Sequence, residues 1–147
     1  MTKRWVAAAA AAWIAATGGV IAHHSFAAEF DVNQPITLEG VLTKMEWINP
    51  HGWIYVDVKG QDGTVTNWAV ETGAPNALLR RGLRRTDFPL GVDVRITGYK
   101  AKSGKPVANG RTVTFPDGRD FFFGSSGTGA PTDGADPAER RGGRGQQ

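Results

Sequence analysis

The stretch "ITLEGVLTKMEWINPHGWIYVDV", Ile36 to Val58, decides how the chain is read. Ile36, Leu38, Gly40 and Leu42 fall on one side of an alternating run. Period-two alternation is the pattern of a half-buried β-strand. The apolar set then moves to Val41, Met45 and Trp47. A phase change at a glycine predicts a bulge or sharp bend at Gly40 within one long strand. "NPHG", Asn49 to Gly52, is turn chemistry. "WIYVDV" then resumes the alternation, with Ile54, Val56 and Val58 on one face and Trp53, Tyr55 and Asp57 on the other.

Working outward, Gln61-Asp62-Gly63 forms a tight turn, so the next run, "TVTNWAVE", should pair antiparallel with its predecessor. Trp68 and Val70 lie on one face of it, and Asn67, Ala69 and Glu71 on the other. "APNALLRRGL" predicts a short helix opened by Pro75-Asn76 and ended at Gly82. "VDVRITGY" is a fourth strand with Val92, Val94 and Ile96 inward. Turns at Ser103-Gly104 and Asn109-Gly110 precede a fifth strand, "RTVTF", and "RDFFF" makes a short sixth. The protein is therefore expected to be mainly β. Three strands, one short helix between strands 3 and 4, then further strands is the order of a small OB-like Greek-key β-barrel. An up-and-down barrel or a β-sandwich is the alternative.

Both ends read as non-globular. Lys3 and Arg4 precede an apolar, alanine-rich stretch from Trp5, and Val20-Ile21-Ala22 supplies a small-residue exit. These are the three parts of a secretory signal peptide, predicted over residues 1–22. A cut after Ala27, at Ser25-Phe26-Ala27, also satisfies the small-residue rule. After cleavage no integral membrane span is expected. The OB-like domain with an N-terminal arm is placed at residues 23–123. Residues 124–147, rich in Gly, Pro, Asp and Arg, are read as a disordered tail. The formal charge is +3, two units of which sit on Lys3 and Arg4, so bulk charge offers no support for nucleic-acid binding. There is no cysteine, which excludes disulfides, thiolate nucleophiles and Cys-ligated metal sites.

The combination "AHHSFAAEFD", "EWINPHGWIYVDV", "NWAVETGAPNALLRRG", "GVDVRITGYKAKSG" and "NGRTVTFPDGR" resembles a family of small exported bacterial proteins of unknown function. The resemblance covers about residues 22–123, and its most specific elements are the His-His-Ser-Phe start and the Asn-Pro-His turn. It implies an exported protein, periplasmic or extracellular, with a small β-barrel, and it implies no activity.

Chemistry-bearing residues are few. If cleavage follows Ala22, His23 becomes the amino terminus and offers its α-amino nitrogen and a ring nitrogen to one metal ion. His24 adds a second ring, and His51 lies in the loop between strands 1 and 2. Nitrogen ligands without thiolate favour copper. Glu29, Asp31 and Glu71 are available carboxylates. Equally, His51 can be a purely structural turn residue. A second candidate is the face carrying Trp53, Tyr55, Asn67 and Glu71, where an OB-type barrel stacks ligands on aromatics. Arg80, Arg81, Arg84 and Arg85 read as a solvated face. No catalytic constellation emerges. The expectation is a non-enzymatic binding module for a metal ion or small ligand, copper first, on His23, His24 and His51. The alternative is a protein- or glycan-interaction module on the aromatic face, and a copper-dependent redox enzyme comes last.

Overall fold

A computed structural model describes residues 25–125 and 128–131. His23, His24 and the predicted signal segment lie outside the described residues, as does most of the predicted tail. The fold is mainly β. Its strands are β1 Phe30–Glu46, β2 Trp53–Lys59, β3 Val65–Glu71, β4 Asp93–Ala101, β5 Val107–Thr114 and β6 Asp120–Phe122. Two short helices accompany them, α1 Phe26–Glu29 and α2 Pro75–Arg80. The sheet order is β3-β2-β1-β4-β5-β6, and β3 pairs in addition with β5. That last pairing is parallel, from Ala69 opposite Val107 to Glu71 opposite Asn109; the others are antiparallel.

β1 is long because it serves two neighbours: Val41 is paired with Asp57 of β2 and with Asp93 of β4. The expected phase change is present, but not at Gly40. The register slips between Leu42 and Lys44, and burial passes from Leu38 and Leu42 to Met45. Gly40 has a different task. A Cβ there would lie 2.1 Å from the Asp57 carbonyl oxygen, so glycine is what lets β1 and β2 approach. In β2, Ile54 and Val56 are fully buried, whereas Trp53, Tyr55 and Asp57 are half-buried on the opposite face. α2 begins with Pro75 in its first turn and stops before Gly82, whose φ is +86°; Leu78 and Leu83 enter the core from this segment.

The Asn109-Gly110 turn expected from sequence does not form. Both residues lie inside β5, Asn109 buried and opposite Tyr99 and Glu71. The local turn preference of Asn-Gly yields to pairing on both sides. Glycine is needed here for space: a Cβ on Gly110 would sit 2.6 Å from Phe123 Cζ and 2.8 Å from Val70 Cγ1.

Ordered packing also continues past Phe123, where the sequence reading ended the domain. Phe123 is fully buried, and its carbonyl accepts from Gly73 N–H. Arg81 Nη1 donates to the Gly124 carbonyl at 2.7 Å, and Ser125 is buried. Composition missed this segment because hydrogen bonds, rather than apolar side chains, hold Gly124 and Ser125. At the other end of the chain, Phe26 stacks on Phe30 at 5.8 Å, meets Tyr99 edge-on at 5.4 Å, and donates its N–H to Thr128 O. The three rings form a second apolar cluster beside the main core. Among the described residues, no helix is long and apolar enough to cross a membrane.

Candidate functional site

His51 follows the cis Asn49–Pro50 bond in the β1–β2 connection. Its position is set by the next residue. Gly52 N–H donates to Gly73 O at 3.3 Å, and Gly52 O accepts from Thr72 N–H at 2.8 Å, so the pairing of β2 with β3 continues past both strand ends. A Cβ on Gly52 would meet Thr72 Oγ1 at 2.6 Å, so this approach needs glycine. The result lays His51 against Glu71, the last residue of β3. His51 Nδ1 is 2.9 Å from Glu71 Oε1 and 3.0 Å from Ser125 Oγ. The histidine and glutamate side chains are only 15% and 10% exposed.

The network assigns the ring proton. Ser125 Oγ donates to Thr72 O at 3.1 Å, so it turns a lone pair toward the imidazole. An ionised Glu71 is an acceptor only. With Glu71 ionised, both partners call for a proton on Nδ1, which leaves Nε2 as the acceptor nitrogen of a neutral ring. No described group bonds Nε2. The set resembles a Ser-His-acid triad only in composition. Ser125 and Glu71 share one ring nitrogen, and the serine proton is directed at a carbonyl, so the imidazole does not activate the hydroxyl.

What the arrangement provides is an imidazole held by a carboxylate through one nitrogen and presenting the other. That is the usual support of a metal-bound histidine. Among the described residues no three or more His, Cys, Asp or Glu converge. Asp31 is engaged elsewhere, by Asn33 N–H and the Gln34 amide.

Trp53, Tyr55, Asn67 and Glu71 do share a face: Trp53 is paired with Glu71, and Asp57, next but one after Tyr55, with Asn67. Yet Glu71 belongs to the histidine network. Asn67 Nδ2 donates to Asp57 Oδ1 at 2.7 Å and to Thr43 Oγ1 at 3.1 Å. The Tyr55 hydroxyl donates to Glu46 Oε2, and Lys44 Nζ lies 4.9 Å above the Tyr55 ring centre. Burial first, then Glu46, pushes the Tyr55 phenol up; the hydrogen bond from Lys44 holds the Glu46 carboxyl down. Of the four arginines, Arg81 is structural, lying 4.6 Å over the Phe122 ring while it holds Gly124. Arg80, Arg84 and Arg85 are exposed.

The sequence reading missed Ser125 and Thr72. Nothing local marks them; they matter because the chain end returns across the end of β3.

A family model described as "Family of unknown function (DUF6152)" matches residues 10–110, more than half of the chain. The chain belongs to this family. The DUF6152 match takes in all three histidines together with Trp53, Tyr55, Asn67 and Glu71, and stops inside β5, ahead of Ser125. No curated protein and no solved structure matches the chain.

Proposed function

We propose that this DUF6152 protein is an exported, non-enzymatic binding module on an OB-like closed barrel, taking a copper ion through His23, His24 and His51. The barrel reading is supported by β1 pairing with both β2 and β4, by the parallel β3–β5 pairing that returns the sheet to its own start, and by α2 between β3 and β4.

The observation that carries the metal reading is the anchored Nδ1 of His51 with Nε2 bonded by no described group. The path of the N-terminal arm adds to it. Phe26 N–H is bonded to Thr128 O, and the Thr128 hydroxyl donates to Ser125 O at 3.5 Å. The arm thus enters beside the turn that carries Ser125, the partner of His51. His24 is two residues before Phe26 in the sequence. Amine and imidazole donors without thiolate favour Cu(II).

Mass spectrometry of the processed protein, then Cu(II) titration, tests the reading. The expected mass begins at His23, with one Cu(II) bound and binding weakened in His51→Ala. A mass beginning at Ala28, or wild-type affinity in His51→Ala, overturns it.

Trp53 supports a second reading, a protein- or glycan-interaction module on the β2–β3 face. Its half-buried indole carries an N–H without a partner among the described residues. Partner or glycan binding that is lost in Trp53→Ala and indifferent to metal would favour that reading.

A further inference from the structure

A second site lies where the β4–β5 connection folds onto β3. Pro106 O accepts from Ala69 N–H at 3.0 Å, which holds the connection against the strand. Between them runs a groove of about 380 Å³, lined by Thr66 and Trp68 of β3, Lys100 of β4, Lys105 of the connection, and Gln34 of β1. That volume is at the small end for ligand pockets.

The lining has a consistent chemistry. Trp68 packs one part of its ring on the core and is otherwise half-exposed. Its indole N–H has no partner among the described residues and is not sealed from solvent. Lys100 and Lys105 are exposed, and neither ammonium has an ion pair or hydrogen bond among the described residues. By contrast Lys102, between them in sequence, donates to Ala27 O. The groove thus offers an aromatic wall, one neutral donor and two unpaired positive charges. An apolar ligand would leave those donors unused, and a cation would be repelled.

We propose that this groove binds an acidic saccharide unit, a uronate ring stacked on Trp68 with its carboxylate between Lys100 and Lys105. The C–H face of a sugar ring suits an indole face, and its hydroxyls suit Thr66, the indole N–H and the Gln34 amide oxygen. Two ammonium groups act as point charges and accommodate one compact carboxylate. The site is separate from His51 and does not depend on metal.

The test is a titration of isotope-labelled full chain, followed by amide and indole NMR shifts, with digalacturonate as the probe. Galactobiose serves as the neutral control and a short oligothymidylate as a polyanion without a uronate. Saturable shifts at Thr66, the Trp68 indole, Lys100 and Lys105 are expected with digalacturonate, with galactobiose weaker by about tenfold. The Lys100→Gln/Lys105→Gln double variant alters exposed side chains only, so it keeps the fold and should lose about tenfold in affinity. Absence of shifts with about 10 mM digalacturonate, equal binding of galactobiose, tighter binding of oligothymidylate, or unchanged affinity of the double variant each overturns the proposal.

Discussion

His51 Nδ1 lies 2.9 Å from Glu71 Oε1, although one residue belongs to the β1–β2 connection and the other ends β3. The contact defines which ring nitrogen is free. Glu71→Gln keeps the shape but removes the charge that holds the Nδ1 proton. The variant should fold and bind Cu(II) about 10- to 100-fold more weakly, the usual effect of losing such a support. A Cu(II) titration with wild-type affinity would show that Glu71 does not orient His51 for metal.

Phe26 is part of the packed fold. It is 4% exposed and packs on Phe30 and Tyr99. Phe26→Ala should cost about 3–5 kcal/mol, read as a lower urea midpoint at unchanged slope. A chain beginning at Ala28, which lacks Phe26, should be destabilised similarly. Wild-type stability of that shortened chain would contradict this.

Gly110→Ala brings a methyl group against Phe123 and Val70. Overpacking of this kind costs about 1–3 kcal/mol. The strain falls on the segment that supports Ser125, so the Gly73 amide, bonded to Phe123 O, should exchange faster with solvent. Unchanged exchange at Gly73 would mean that the chain end is held independently of β5.

Acid should weaken the fold through carboxylates that accept from nearby backbone N–H groups. Asp31, Asp62 and Asp117 all have carboxyls held below the ordinary 3.8, first by the backbone N–H of Asn33, Thr64 and Arg119, then by the side chains of Gln34, Thr64 and Arg119. A depressed folded-state pKa contributes stability that is present above the unfolded value and lost as pH falls through the folded one. The urea midpoint should therefore hold steady above about pH 5 and drop below about pH 4. Asp62→Asn should flatten part of that drop; an acid limb parallel to wild type would remove Asp62 from the account.

Much of the scaffold was legible because its signals are local. Alternation in "WIYVDV", the Pro75 start and Gly82 stop of α2, and the Ser103-Gly104 turn each depend on neighbours in sequence, and each is found. The phase change in β1 was also legible, but its position was not. Gly40 marks a close approach to Asp57, and the slip occurs after Leu42, where pairing with β2 determines it.

By itself, the sequence determined the β character, the strand and helix order, the family resemblance and the three histidines that could carry chemistry. Only the tertiary structure decided that Asn109-Gly110 is strand rather than turn, that Gly124 and Ser125 belong to the packed body, and that Glu71 and Ser125 both grip His51. The physical reason is common to all three. A turn preference, a polar tail and a strand-end carboxylate have no fixed meaning until distant backbone supplies the partners that satisfy their hydrogen bonds.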